Sequence, residues 1–283
     1  MQQDTYGTIL VLGGTGKTGR RVAARLRERG RLVRVGSRSG EPPFDWNAPA
    51  TWASALRGAE AAYLAYYPDV AVPGAAETVG AFADLAVQSG VQRLVLLSGR
   101  GETEALRAEQ AVQAAGACWT VVRCSWFSQN FSEGVLLDPV LSGEVALPVD
   151  GVPEPFVDAE DIADVAVAAL IDNGHFDRVY ELTGPRSLRF REAVDEIAAA
   201  SGRPVRFVPV TLDEYSKALR RENVPEEVVA ALRYLFTEVL DGRNALPADG
   251  VQRALGRHPR DFRDFARGAA SSGVWQPRQA HAR

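Results

Sequence analysis

Three glycines, Gly13, Gly16 and Gly19, stand at G-x-x-G-x-x-G spacing in Gly13-Gly14-Thr15-Gly16-Lys17-Thr18-Gly19. They follow the apolar run Thr8-Ile9-Leu10-Val11-Leu12 and open a segment, 20–29, with Val22, Ala23 and Leu26 on one face. A strand feeding glycines into a helix suits close approach to a pyrophosphate. Gly13 takes the tight turn, Gly16 lets the backbone near the phosphates, Gly19 lets helix and strand pack, and the free N–H groups of the first helical turn attract negative charge. Thr15, Lys17 and Thr18 ride in the same turn, which is read as a dinucleotide site. A mononucleotide phosphate loop, G-x-x-x-x-G-K-[ST], would need its leading glycine at position 11, where Val11 stands. Lys17 has two readings, beside the cofactor phosphates or in solvent.

The end of the next strand, Val33-Arg34-Val35-Gly36-Ser37-Arg38-Ser39, lacks the Asp or Glu that would hydrogen-bond a ribose 2′-hydroxyl. Ser37 and Arg38 stand there instead. A guanidinium keeps its charge and binds phosphate oxygens bidentately, so the segment favours NADP(H) over NAD(H). The bland alternative is a solvated arginine in a chain with only two lysines, Lys17 and Lys217.

Elements that must position these residues alternate along the chain. Helices are expected at 50–56, 74–88 and 102–115, and strands at 60–65, 92–97 and 118–123. This order demands right-handed crossovers and a parallel sheet covered on both faces, with ligands beyond the carboxyl ends of the strands. Tyr66, Ser98, Trp126 and Phe127 fall at or just past those ends. From about 128 the pattern turns loop-rich, although Asp158-Ala159-Glu160-Asp161 can start a helix through Ile171, and 179–182 reads as a further strand. Helix 190–200, strand 205–209 and helices at 213–220, 225–240 and 260–270 complete a small, mostly helical lobe that could cover a substrate. Tyr215, Tyr234 and Phe236 are its candidate pocket residues. The expected architecture is α/β, a Rossmann-type doubly wound parallel sheet over 1–186 with a C-terminal substrate lobe over 187–275 and a flexible tail at 276–283.

A chain of 283 residues, 46% hydrophobic, can bury a large core, and its net charge of −4 offers no general attraction to nucleic acid or anionic membrane. No signal peptide and no bilayer-spanning apolar run is read, so a cytoplasmic protein is expected, monomer or homodimer, with no nucleic-acid or membrane partner. Cys118 and Cys124 flank one strand, too far apart to bridge, and suit a reducing compartment. Cys124 is read as a buried thiol or a reactive one. His175, His258 and His281 show no metal-ligand spacing, so no metal is expected.

The glycine turn, Gly36-Ser37-Arg38-Ser39, Leu96-Leu97-Ser98, Trp126-Phe127-Ser128-Gln129-Asn130 and Phe156-Val157-Asp158-Ala159-Glu160-Asp161-Ile162-Ala163 together resemble the NmrA-like branch of atypical short-chain dehydrogenases. With Phe44-Asp45-Trp46 and Thr51-Trp52, the chain is most similar to the festuclavine dehydrogenase type of that branch and to its NAD(P)H-dependent quinone reductases. The resemblance implies hydride transfer from a nicotinamide cofactor to a cationic iminium carbon or a quinone. In other members it implies dinucleotide binding without turnover, as a redox sensor. It also implies an approach of Asp45 to the adenine ring, with an exposed loop carboxylate as the simpler reading, and matches Ser98 to the superfamily's catalytic serine, with a capping role as the alternative.

The chain departs from the superfamily in one respect. A Tyr-x-x-x-Lys pair, in which lysine lowers the phenol pKa for alkoxide protonation, would need tyrosine four residues before a lysine; those positions hold Gly13 and Asp213. Ordinary carbonyl reduction lacks its usual proton donor. The expected acceptor is therefore a small planar conjugated molecule, an iminium ion, quinone or enone, stacked against Tyr66, Trp126, Phe127 and Phe156, or else packed only by core if these aromatics are structural. The rival expectation is a non-enzymatic NADP(H) sensor.

Overall fold

The apolar runs of the first half pair side by side because β-branched and aliphatic strands, buried on both faces, are stable only under helices. The computed structural model describes residues 7–276, so the expected tail beyond 276, with His281, lies outside the described residues. Two structural units emerge, each returned to more than once by the chain.

The first unit takes residues up to Cys124, then Ala159–Leu182 and Asp249–His258. Its sheet is parallel and six-stranded: β1 (Thr8–Leu12), β2 (Val33–Gly36), β3 (Ala59–Leu64), β4 (Arg93–Gly99), β5 (Cys118–Cys124) and the strand Arg178–Leu182. The spatial order is β2-β1-β3-β4-β5 and then Arg178–Leu182, so strand order reverses between β1 and β3. Register is set by pairs such as Leu12 with Gly36, Leu64 with Leu96, and Gly99 with Cys124. Helices α1 (Lys17–Glu28), α2 (Trp52–Leu56), α3 (Ala75–Gln88) and α4 (Thr103–Ala114) cross between strands. Helix α1 buries Val22, Ala23 and Leu26 and turns arginines outward, where Arg21 and Arg25 pair with Glu160, and Arg25 also with Asp164 at 2.7 Å, on the helix Ala159–Ile171. An aromatic cluster of Phe44, Trp46, Trp52 and Phe82 fills the core beside α2 and α3, with Phe82 5.2 Å from Trp46 and 5.5 Å from Trp52.

The second unit comprises Ser125–Asp158, Thr183–Ala248 and the residues from Pro259 onward. Its core gathers Phe131, Phe156, Phe190, Phe262 and Trp275, and the Trp275 indole donates to the Phe131 carbonyl at 2.9 Å. Strand Glu144–Leu147, which the sequence pattern did not reveal, pairs in parallel with Arg206–Pro209. The helix expected over 225–240 is Glu226–Tyr234 followed by one π-helical turn, Leu235–Val239. A short helix at Gly250–Leu255 returns to the first unit, and only glycine fits at its start, since a Cβ at Gly250 would lie 2.2 Å from the Glu181 carbonyl oxygen.

Candidate functional site

The glycine turn has the geometry its spacing predicts. Gly13 sits at φ +63°, a region that favours glycine. Its carbonyl accepts the Gly16 N–H at 2.8 Å. A Cβ at Gly16 would stand 3.2 Å from that carbonyl oxygen, and one at Gly19 only 2.2 Å from it. The turn therefore presents bare backbone at the start of α1, where Gly16 is the flanking residue and no side chain among the described residues caps the helix. Thr15 and Gly16 are exposed, so the N–H groups of the first turn are open to a ligand.

Charge completes the site. Lys17 is half-buried, and burial first, then the neighbouring Arg20 and Arg21, hold its ammonium below the usual lysine pKa. Arg21 is held by Glu160, and the positive charge of Lys17 at this uncapped helix start suits an anion. Thr18 faces the other way: it is buried, and its hydroxyl accepts a hydrogen bond from Tyr63 at 3.0 Å, tying α1 to β3.

Past β2, Ser37 holds the loop through its carbonyl, which accepts from Gly40 at 3.0 Å and Phe44 at 2.9 Å. Arg38 is exposed, its guanidinium 6.0 Å from the Tyr67 ring. Asp45 works within its own loop, its carboxylate accepting the Asn47 N–H at 2.9 Å and its carbonyl the Trp52 indole at 2.9 Å. Tyr66, two residues past the end of β3, packs on Trp46 with centroids 5.0 Å apart and the rings tilted by 53°.

Ser98 is buried at the end of β4 and donates to Glu109 Oε1 at 2.6 Å. Glu109 also receives Arg123 from β5, at 2.9 Å and 2.5 Å, and Arg123 reaches Glu181 at 2.8 Å. The two carboxylates lift the Arg123 pKa further. Sequence reasoning missed this chain of charges. Its signal was a carboxylate on the buried face of α4, four residues after Ala105 and three before Val112, and an arginine inside an apolar strand.

In the second unit, Trp126 packs on Phe190 at 5.5 Å and Phe236 at 5.7 Å, and its backbone N–H donates to Glu154 at 3.1 Å. Phe127 is half-buried and bridges to Val157. Phe156 is 2% exposed, ringed by Phe190 at 5.0 Å and Phe262 at 5.3 Å. Three buried polar atoms in this stretch, Ser125 Oγ, Trp126 Nε1 and Ser128 Oγ, have no hydrogen-bond partner among the described residues. No helix of the described residues is long and apolar enough to cross a membrane.

No family model matches the chain. An NAD(P)H azoreductase of Xenophilus azovorans is 30% identical, over 93% of this chain and 98% of its own. A festuclavine dehydrogenase of Aspergillus fumigatus is 28% identical, over 92% and 96% respectively. In fold, the chain is similar to an NADPH-dependent quinone oxidoreductase from Escherichia coli solved with NADPH, at TM-score 0.76 and 18% identity, covering 91% of this chain and 98% of that one. With its sheet order, its uncapped glycine turn and these relatives, the chain belongs to the NmrA-like branch of the atypical short-chain dehydrogenases/reductases and is an NAD(P)-binding Rossmann oxidoreductase.

Proposed function

We propose that the protein reduces a small planar conjugated acceptor, an iminium ion, quinone or enone, with NADPH and without a Tyr-x-x-x-Lys pair. The observation that carries this reading is the turn at Gly13, Gly16 and Gly19, where bare backbone, an uncapped helix start and the Lys17 ammonium meet. The residues present fit the cofactor: the absence of a Cβ at Gly16 and Gly19 lets the turn close on the helix start, and Lys17 stands there as a half-buried cation. NADPH, when bound, supplies the hydride.

In this reading the exposed turn at Thr15 and the first turn of α1 hold the pyrophosphate, Gly13 and Gly16 shape that turn through the Gly16 N–H to Gly13 carbonyl bond, Gly19 lets helix and strand close, and Lys17 balances the charge. Thr18 positions α1 through Tyr63 rather than touching the cofactor. Ser37 and Arg38 receive the 2′-phosphate; Arg38 is exposed beside Tyr67, free to close on it. Asp45 shapes the loop at the adenine end. Tyr66, Trp126, Phe127 and Phe156 are assigned to the aromatic surroundings of the acceptor. Tyr66 and Trp126 are each only half-buried, so acceptor contact is assigned to them first, and Phe156 lies in the core of the second unit against Phe190, on which Trp126 also packs. Ser98, held by Glu109, positions the end of β4. The azoreductase and festuclavine dehydrogenase names support a conjugated acceptor for this chain as well.

Orientation of the acceptor supplies most of the catalysis, since a flat acceptor held against a hydride donor needs little further activation. Loss of NADPH absorbance against a panel of quinones, enones and preformed cyclic iminium ions, with NADH in parallel, tests the reading. Turnover that prefers NADPH is expected; tight NADP(H) binding with no turnover of any acceptor overturns it.

A further inference from the structure

Strand β4 ends at Gly99, and three residues later Glu102 flanks the start of α4. Its backbone angles, φ −106° and ψ 122°, are those of a helix-capping residue, a place where the shorter side chains of Asp, Asn, Ser and Thr accept the free N–H groups of the first turn. The Glu102 side chain makes no such bond. It lies flat over Gly99 instead: a Cβ added at Gly99 would stand 2.4 Å from the Glu102 carboxyl carbon and Oε2, and 2.6 Å from Oε1.

Glu102 is 7% exposed, and its Oε2 has no hydrogen-bond partner among the described residues. Cations nearby on the chain are engaged elsewhere. Arg100 pairs with Glu181 at 3.2 Å, and Arg123 with Glu109 and Glu181. The charge that does act on Glu102 is a like one, Asp69, from the segment after β3, where its own Oδ1 accepts the Ala71 N–H at 2.9 Å. A carboxylate buried without cation or donor is costly unless it keeps its proton. Burial first, and Asp69 second, push the Glu102 carboxyl up to about 8. Burial raises Asp69 as well, against the pull of the Ala71 N–H.

The carboxyl is also well placed. β4 is two strands from β1, about 10 Å between strand axes, and Glu102 follows the carboxyl end of β4, on the edge of the sheet where such folds bind ligands. We propose that the Glu102 carboxyl, at the carboxyl end of β4 beside Asp69, is the proton donor that completes reduction of the acceptor. The proposal rests on the reductase reading above. The acceptor carbon gains the hydride with both its electrons, and the displaced π pair moves to the oxygen of a quinone or the α-carbon of an enone. The O–H bond of Glu102 then breaks to protonate that atom, and the carboxylate left behind recovers a proton from water. Asp69 is a positioning residue, keeping the proton on Glu102 at neutral pH. A permanently cationic iminium carbon needs no such proton.

Two experiments on the full chain test this. Infrared difference spectra of the cofactor-free wild type against E102Q should show a protonated carboxyl band that fades as pH rises through about 8 and is missing from the variant. With a quinone or enone acceptor, wild-type kcat should fall on the alkaline side of that pH. E102Q should lose about 100-fold, the scale of general-acid catalysis, together with the alkaline limb. D69N should move the limb to lower pH, which a merely structural role for Asp69 would not do. Glutamine matches the neutral acid in shape, so the variant is expected to fold; if it does not, the infrared titration of the wild type, with a carboxyl ionised at neutral pH as the adverse result, decides alone. A wild type that reduces acceptors no faster than E102Q overturns this proposal and leaves the reductase reading standing. A wild type that reduces none of them overturns both.

Discussion

Gly19 and Gly13 stand so close that a methyl group on Gly19 would lie 2.2 Å from the Gly13 carbonyl oxygen and 2.6 Å from its carbon. Neither atom can yield, because both belong to backbone that the β1 strand and the α1 helix hold in place. Gly19→Ala must push helix from strand and deform the phosphate turn. NADPH affinity is expected to fall at least about tenfold, or 1.4 kcal/mol, by fluorescence titration, with a lower unfolding temperature. Gly268→Ala is the control. Gly268 lies in the helix Phe262–Ser271 with nothing within 4 Å of a Cβ, so alanine there should stabilise by about 0.4–1 kcal/mol. Equal affinities in wild type and Gly19→Ala would remove the turn from the cofactor site.

Arg38 decides the choice between cofactors. A charge-assisted hydrogen bond contributes about 1.5–3 kcal/mol, so Arg38→Ala should weaken NADPH by about 10- to 100-fold and leave NADH nearly unchanged. Competition between the two cofactors in one titration measures this directly. A parallel loss for both would place Arg38 elsewhere than at the 2′-phosphate.

Ser98 and Glu109 divide structure from catalysis. Ser98→Ala removes one donor from a buried carboxylate that keeps both contacts to Arg123, so a loss of about 1–2 kcal/mol of stability is expected by denaturant titration. Glu109→Gln strips Arg123 of its nearer buried counter-charge and should cost about 3–5 kcal/mol. If Ser98 only positions β4, kcat in Ser98→Ala stays within a small factor of wild type. A loss of about 100-fold at unchanged stability would make it a catalytic group.

Glu102 also leaves a mark on stability. Its pKa is raised on folding from 4.5 to about 8, so between those values the native state holds a proton that the unfolded chain has released. Stability from this group is complete below about pH 4.5 and declines as pH rises toward 8, with a slope of up to about 1.4 kcal/mol per pH unit. Salt-bridged carboxylates such as Asp261, held below the usual range by Arg186, act in the opposite sense, so the comparison must be against E102Q. Denaturant midpoints of the two proteins should diverge with rising pH, E102Q becoming the more stable. Parallel curves would mean that Glu102 ionises normally.

The parts legible in sequence are those encoded locally. Glycine spacing, the apolar run of β1 and each strand and helix up to Cys124 lie within 14 residues or fewer, and strand β5 ends one residue beyond the expected Arg123. Contacts between distant segments were not legible. Arg123 and Glu181 are 58 residues apart and meet only because β5 pairs with Arg178–Leu182 in the register that sets them side by side. Glu102 reads in sequence as the first residue of a helix, and nothing local says that its carboxyl turns back over Gly99. Strand Glu144–Leu147 was hidden because its partner, Arg206–Pro209, lies some sixty residues on.

Trp126 offers the sharpest test of the acceptor site. Its ring rests against Phe190 and Phe236, yet its indole N–H is buried with no partner among the described residues, as are the Ser125 and Ser128 hydroxyls on either side. An unsatisfied buried donor costs about 1–3 kcal/mol, which an acceptor oxygen reaching it would recover on binding. Trp126→Ala should impair turnover more than NADPH affinity, but it also opens a cavity whose cost of about 3–5 kcal/mol blurs the result. Trp126→Phe is cleaner, since it keeps an aromatic surface and removes the stranded donor. If the indole meets the acceptor, Trp126→Phe should be as stable as wild type or slightly more so, while KM for an oxygen-bearing acceptor rises about tenfold and NADPH affinity holds. If the indole is only core, stability falls and KM does not change.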